Sequence, residues 1–492
     1  MLLHDLFYEF DAALDLTGIP QGPVAGVRDD SRLVKPGDLF VARPGSQTDG
    51  NRFITDAAAR GAIAIVAESK RADITTPQIV VPCAAKAAGL LAQIFRQHPS
   101  RKVKTIGITG TNGKTTTTYL IRHLLNRYRQ KCGLIGTVEI DDGRTCREAA
   151  MTTPGACELA DLLADMRDHQ TFRCAMEVSS HALDQHRVAG IEFAAAGFTN
   201  LTGDHLDYHK TMDAYAAAKA RLFASLDATA LAVLNADDKW SAVMAGKCFA
   251  RVIRYGFMGG ADYQARDIKI DSTGSHFILV APDGRVEVAM GLIGRHNIEN
   301  ALLAAALVCE TFGLTVHQVA AGLKDAAGAP GRLQPVRKGQ PFGVLVDYAH
   351  TDDALDNVLS ALRPLVKGKL RVVFGCGGDR DATKRPRMAQ IAEKWADVIY
   401  VTSDNPRTED PHKILEQITT GFAAPSTKKI YRQVDRALAI EQALNDAQAW
   451  DVVLLAGKGH ENYQIVGTER RHFDDAEEAA RVLAERFAPT AR

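Results

Sequence analysis

Short apolar runs, largely β-branched, recur along the chain, and each ends in Gly, Ser, Asp or Asn just before a helical pattern. They include KTIGITG (104–110), FRCAMEVSS (172–180), GVLVDYAH (343–350), LRVVFGCGGD (370–379), DVIYVTSDN (397–405) and DVVLLAGKGH (451–460). A strand that is apolar throughout is buried on both faces, as in parallel sheets covered by helices. The chain is therefore expected to be α/β. Ligands of such sheets collect outside the carboxyl ends of the strands, and the chemically loaded residues stand at those ends here. An alternating stretch at about 255–293, with APDGR (281–285) inside it, reads as an antiparallel insert closed by a hairpin.

At 492 residues the chain exceeds a single core. Two polar stretches, HPSRKVK (98–104) and APGRLQPVRKGQP (329–341), suggest domains at 1–100, 101–333 and 334–492. The 59 basic and 59 acidic residues balance, which argues against a general nucleic-acid or membrane-surface binder. The expected partners are small molecules, and a monomer is the expected state. Eight cysteines without a CxxC pair read as reduced thiols. MLLHDLFYEF (1–10) lacks a basic segment followed by an apolar run, and the apolar stretches are short. A cytoplasmic location is expected.

GTNGKTT (110–116) follows a predicted strand and opens a predicted helix. Glycines let backbone amides approach phosphate oxygens, and the helix N-terminus adds a positive field. Lys114 can reach outer phosphates, and the Thr115 or Thr116 hydroxyl can bind Mg²⁺. The strict P-loop spacing requires Gly at position 108, where this chain has Ile108, so the loop is a shortened variant. Taken alone, Glu177 and His205 are strand-end residues of a common kind, and Lys219, in the Ala-rich AYAAAKARLF (214–223), reads as an exposed helix lysine.

The loop resembles that of the Mur ligase family, which includes the folylpolyglutamate synthetases. DHLDYHKTMDAYAAAK (204–219) is similar to the family string DHLDYHxTMxxYxxAK, whose last lysine is carbamylated by CO₂. The resemblance implies a three-domain Mur ligase architecture, with a central P-loop ATPase-like parallel sheet and a C-terminal Rossmann-like domain. It implies ATP at Gly110, Thr111, Asn112, Gly113, Lys114, Thr115 and Thr116, with His296, Asn297, Asn300, Arg332 and Asp347 completing that site. Thr115 or Thr116 and Glu177 would hold one Mg²⁺; His205 and a carbamate on Lys219 would hold a second. Lys114, Glu177, His205 and Lys219 are the implied catalytic set.

DDSRLVKPGDLFVARPGSQTDG (29–50) is similar to the UDP-binding segment of the tripeptide-forming members, with Ser31, Ser46, Gln47 and Thr48 as contacts. Thr152, Thr153, Ser179, Gln185 and Arg187 match residues that hold the UDP-muramoyl dipeptide. Two departures stand out: Met151 replaces a common Asn, and Asp352 replaces the Pro of DYAHTPDAL. DNPR (404–407) resembles the signature of the members that add meso-diaminopimelate. That implies an acceptor site of Arg385, Asp404, Asn405, Pro406, Arg407, Gly457 and Glu461.

The implied activity is ATP-dependent addition of meso-diaminopimelate to UDP-N-acetylmuramoyl-L-alanyl-D-glutamate through an acyl phosphate, in peptidoglycan precursor synthesis. The lysine-adding relatives, which lack DNPR, are one rival reading. A non-catalytic ATP-binding regulator is the other, and it predicts nucleotide binding without substrate-dependent ADP release.

Overall fold

The computed structural model describes residues 1–45, 49–203, 206–271 and 274–487. Ser46, Gln47, Thr48 and His205 lie outside the described residues. The chain folds into two compact units, one made of 1–264, 281–283 and 300–316, the other of 265–280, 284–299 and 317–492.

The first unit begins with a four-stranded parallel sheet, Val27–Arg28, Leu39–Val41, Ala64–Ala67 and Gln78–Val80. It then builds a larger sheet in which Leu231–Asn235, Phe193–Phe198, Lys104–Thr109, Arg173–Glu177 and Gly133–Ile135 are parallel neighbours. The continuous apolar runs do what burial on both faces demands: Ile106, Ile108, Ala175, Met176, Ala195 and Ala196 are all inaccessible to solvent. One helix, Ala156–Asp168, serves both cores of this unit. Its Ala156, Cys157 and Ala160 pack with the small sheet, and its Leu159, Leu163 and Met166 pack with the large one. Truncating Leu163 to Ala should cost about 2–5 kcal/mol, because the cavity would open inside a packed core.

The antiparallel reading of 255–293 needs one correction. Arg251–Gly256 pairs in parallel with Tyr263–Gln264, the start of Tyr263–Asp271, so the chain turns back on itself only later. The adjacent strands Gly274–Ala281 and Gly284–Met290 are joined by Pro282-Asp283, inside the expected hairpin.

The second unit carries a six-stranded sheet in the order Gln334–Pro335, Gly343–Asp347, Val452–Ala456, Leu370–Phe374, Val398–Val401, Lys429–Arg432. All its neighbours are parallel except the first pair. Alternate residues feed two cores: Leu345, Val372, Phe374 and Leu454 on one face, Val344, Val346, Val373 and Leu455 on the other. The helix Asp352–Leu362 starts at Thr351, whose hydroxyl accepts from the Ala354 amide. Asp352 in its first turn suits the positive helix end, so the missing proline leaves a well-made start. Among the described residues, no helix is long and apolar enough to cross a membrane.

Candidate active site

The phosphate loop joins the strand Lys104–Thr109 to the helix Lys114–Arg127. Gly110 and Gly113 have φ of 147° and 87°. A Cβ at Gly110 would lie 1.8 Å from Thr199 Oγ1, and one at Gly113 would lie 2.3 Å from Asn300 Oδ1. Glycine is therefore required twice, by conformation and by space. The Thr111 and Asn112 amides donate to Asn200, at 2.8 Å to its carbonyl and 3.1 Å to its side chain. The Lys114 ammonium curls back onto the carbonyls of Gly110 and Thr111 at 2.9 and 2.8 Å.

Glu177 is wholly buried at the end of the neighbouring strand. One of its oxygens accepts from the Thr115 hydroxyl at 3.0 Å and the Thr137 hydroxyl at 3.1 Å. The other accepts from the Thr137 amide at 2.8 Å. Thr115, Thr137 and Glu177 thus form an oxygen-rich cluster, and Thr116, the next residue after Thr115, is also buried. Lys219 is not an exposed helix lysine: it is 1 % exposed, its ammonium donates to the Gly110 carbonyl at 2.9 Å, and it lies over the Tyr215 ring. Tyr215 also meets Thr111 through its hydroxyl at 3.3 Å. Among the described residues, no three His, Cys, Asp or Glu side chains cluster as metal ligands. Asn300, buried, completes this corner by accepting from the Thr117 hydroxyl at 3.4 Å.

A cleft of about 1180 Å³ in the same unit brings together Ser31, Arg43, Met151, Gln185, Arg187 and Tyr208. Arg187 donates to Gln185 Oε1 at 2.7 and 3.1 Å and to the Thr153 carbonyl at 2.8 Å. Burial, then the charge of Arg43, pulls its pKa below the usual arginine value. Thr153 ties this wall to the end of the strand Arg173–Glu177, donating to the Glu177 carbonyl at 2.8 Å and accepting from the Ser179 amide at 3.1 Å. Thr152 meets Thr137 at 3.1 Å. Met151 touches Arg187 through sulfur at 3.5 Å. A larger cavity of about 1350 Å³ contains none of the expected residues. Several of its charges are paired with one another, as in Glu9 with His98 at 2.7 Å and Arg251 with Glu310 at 2.6 Å.

In the second unit, Asp347 ends its strand with both oxygens engaged: one accepts from the Leu333 amide at 2.8 Å, the other from the Ala349 amide at 2.9 Å. Burial pushes its carboxyl above the usual carboxylate range, although Arg332 opposes the shift. Arg332 stacks over Tyr348. Asn297 is buried and donates to the Ile293 carbonyl at 2.9 Å, whereas His296 is exposed.

The loops after three strands of this sheet converge. Asn405 donates to Glu461 at 2.9 Å, and its oxygen accepts from the Ile465 amide at 2.9 Å. Arg407 donates to the Gly378 carbonyl at 2.8 Å. Gly457, at φ 118°, donates its amide to the Asp347 carbonyl at 3.0 Å. Arg385 is 1 % exposed and grips Glu409 with both Nη atoms, at 2.9 and 3.0 Å, so it is already paired within the protein. Sequence reasoning passed over Thr137, Tyr215, Arg43 and Lys458. Lys458 had a signal: a Gly-Lys pair just past an apolar strand, the same local pattern as the phosphate loop.

Three family models match consecutive segments: the description "Mur ligase family, catalytic domain" at 23–96, "Mur ligase middle domain" at 108–308, and "Mur ligase, glutamate ligase domain" at 331–459. A protein of Gloeobacter violaceus named UDP-N-acetylmuramoyl-L-alanyl-D-glutamate–2,6-diaminopimelate ligase is 45% identical, over 99% of both chains. A protein of the same name from Synechococcus elongatus is also 45% identical, over 96% of each. A solved structure carrying that name aligns with a TM-score of 0.75 at 34% identity, covering 98% of this chain and 99% of the other.

Proposed function

The chain belongs to the Mur ligase family, and on that premise we propose that it joins meso-diaminopimelate to UDP-N-acetylmuramoyl-L-alanyl-D-glutamate at the expense of ATP. The observation that carries this reading is the 45% identity, over nearly the whole length, to a ligase named for those two substrates.

In this reading the γ-phosphoryl group of ATP passes to the side-chain carboxylate of the D-glutamate, giving an acyl phosphate and ADP. The neutral amine of the acceptor attacks the acyl carbon, phosphate leaves, and the nitrogen gives up a proton to form the amide. Lys114, released from its own loop carbonyls, neutralises charge on the phosphoryl oxygens. The Gly110 and Gly113 backbone cradles the phosphates, and Asp347 accepts from a ribose hydroxyl. Arg332, His296, Asn297 and Asn300 complete the nucleotide site.

The donor set fits Mg²⁺, a hard cation that takes oxygen ligands. Thr115 or Thr116 and Glu177 would hold one ion, His205 and a carbamate on Lys219 a second. Bound Mg²⁺ would offset the negative charge of the phosphates. The carbamate would form when the Lys219 nitrogen attacks CO₂, making an N–C bond and releasing a proton.

The cleft lined by Ser31, Arg43, Gln185 and Arg187 would take the UDP-dipeptide: Ser31, Ser46, Gln47 and Thr48 would contact uridine and diphosphate, and Thr152, Thr153, Ser179, Gln185 and Arg187 would hold the muramoyl dipeptide. Asp404, Asn405, Pro406, Arg407, Gly457 and Glu461 would take the acceptor, with Arg385 holding their supporting loop through Glu409. The domains are 1–100 for the UDP moiety, 101–333 for ATP and 334–492 for the acceptor. A reaction that draws on ATP and a nucleotide-linked precursor fits a cytoplasmic location. A monomer suffices, since one chain supplies every residue named.

The test is coupled detection of ADP with purified protein, with each substrate omitted in turn. ADP release should require both the UDP-dipeptide and diaminopimelate. ADP release that ignores either one, or nucleotide binding with no release at all, would overturn the reading.

A further inference from the structure

The loop after Val452–Ala456 carries a fully buried lysine that the reaction scheme above does not use. Lys458 stands between Gly457 and Gly459, both at positive φ. The turn is locked in place: a Cβ at Gly459 would lie 2.6 Å from Tyr348 Cβ, and one at Gly331 would lie 2.1 Å from the Gly459 carbonyl carbon. The lysine cannot swing out to solvent without unpacking that turn.

Its ammonium meets three side chains of the proposed acceptor site. Glu461 Oε2 is 3.3 Å away, Asn405 Oδ1 is 3.4 Å away and Asp404 Oδ1 is 3.6 Å away. Asp404 is itself more than nine-tenths buried, and its Oδ1 accepts no hydrogen bond. A buried carboxylate oxygen in that condition points to a missing donor. Arg436, a second cation within electrostatic reach of Asp404, is matched by Asp475 at 2.6 and 2.7 Å and does not supply it. Two carboxylates and one ammonium leave this cluster one negative charge over, the complement of a single further ammonium.

Resting on the functional reading above, we propose that Lys458 is a positioning residue of the acceptor site. It holds Asp404, Asn405 and Glu461 in one arrangement and sets their charge so that they receive the single ammonium on the distal carbon of the acceptor. The catalytic apparatus around Lys114 contains none of these groups, so the effect of removing Lys458 should fall on one substrate.

The test uses the full-length protein and steady-state kinetics. Wild type must first release ADP on addition of diaminopimelate; if it does not, the functional reading fails and the role of Lys458 fails with it. In Lys458→Met, which keeps most of the stem and removes the charge, the KM for diaminopimelate should rise at least about 30-fold, as when one partner of a buried charge pair is lost. The KM values for ATP and the UDP-dipeptide should stay within about two-fold, since neither touches this cluster. A purely structural role would instead move all three or lower the amount of folded enzyme. If Lys458→Met does not fold, Lys458→Gln, which keeps a hydrogen-bond donor and removes the charge, carries the test, and it should again raise only the KM for diaminopimelate. An unchanged KM for diaminopimelate in either folded variant, or equal rises for all three substrates, overturns the proposal.

Discussion

The ammonium of Lys219 donates to the carbonyl oxygen of Gly110 at 2.9 Å, so a buried helix lysine closes on the first residue of the phosphate loop. A lysine there costs desolvation, and the fold retains it between the Gly110 carbonyl and the Tyr215 ring. A carbamate on this nitrogen would turn a cation into a two-oxygen anion at the same place. Lys219→Ala should keep the fold and lose roughly 100-fold or more in kcat, on the scale of losing one preorganised charge-stabilising group. Circular dichroism checks the fold and ADP release checks the rate. Added short carboxylates should restore part of the rate. Turnover near wild type in the unrescued variant would remove Lys219 from the metal site.

Gly113 offers a cleaner perturbation, because no charge is changed. Alanine there must hold φ near 87° and place a methyl group 2.3 Å from Asn300 Oδ1. The left-handed backbone alone costs roughly 1–2 kcal/mol, and Asn300 must move. Gly113→Ala should therefore raise the KM for ATP by about 10-fold or more. The KM for diaminopimelate should be unchanged. Normal ATP binding by calorimetry would show that the loop tolerates a side chain and does not cradle phosphate as argued.

The strand ends were legible because burial on both faces forces an unbroken apolar run, and such a run carries its own signature. Thr109, Glu177, Asp347 and Ala456 end strands where that pattern stops. The environment of the residues beyond those ends was far less legible. Lys219 reads as an exposed lysine among alanines, yet it is buried because a loop more than 100 positions away in sequence folds over it. Arg385 matches an acceptor residue by motif, but its partner is Glu409, and the pairing depends on how one loop packs against a helix. Lys458 escaped notice for the same reason: its turn packs against Tyr348 and Gly331, and its partner Asp404 lies on another loop. The parallel pairing at Tyr255 was hidden because alternation along a strand does not say which neighbour it meets.

Asp347 carries a pH prediction. Burial raises its pKa, so its carboxyl takes up a proton at a higher pH than an ordinary carboxylate does. In the proposed function the ionised form accepts from a ribose hydroxyl. As pH falls through the raised pKa that acceptor is lost, and the KM for ATP should climb earlier than a typical Asp, near about 3.9, would allow. Asp347→Asn should show a raised KM for ATP at neutral pH and a flatter rise on acidification. The measurement is KM for ATP against pH in both proteins, over the range where each stays folded. Parallel profiles would assign the pH dependence to another group.

In the proposed function Arg407 sets the choice of acceptor. It sits at φ 51° in a backbone pinned on both sides, its amide donating to the Ile465 carbonyl at 3.0 Å and its carbonyl accepting from the Gly467 amide at 2.7 Å. That fixes the root of the side chain, while Nη1 donates to the Gly378 carbonyl. Diaminopimelate differs from lysine by one carboxylate on the distal carbon, and a guanidinium fork is shaped for a carboxylate. Lysine leaves Arg407 without that anion while still offering its amine to Asp404 and Glu461. An unpaired, desolvated charge costs about 2–5 kcal/mol. At about 1.4 kcal/mol per decade, wild type should prefer diaminopimelate on the order of 30-fold to several thousand-fold in kcat/KM. Arg407→Ala removes the cation and with it the reason for the preference, so activity on diaminopimelate should fall far more than activity on lysine. The comparison needs four numbers, kcat/KM for both proteins with both amino acids. A wild type that uses lysine equally well, or a variant that loses the same factor on both, would take the carboxylate-reading role away from Arg407.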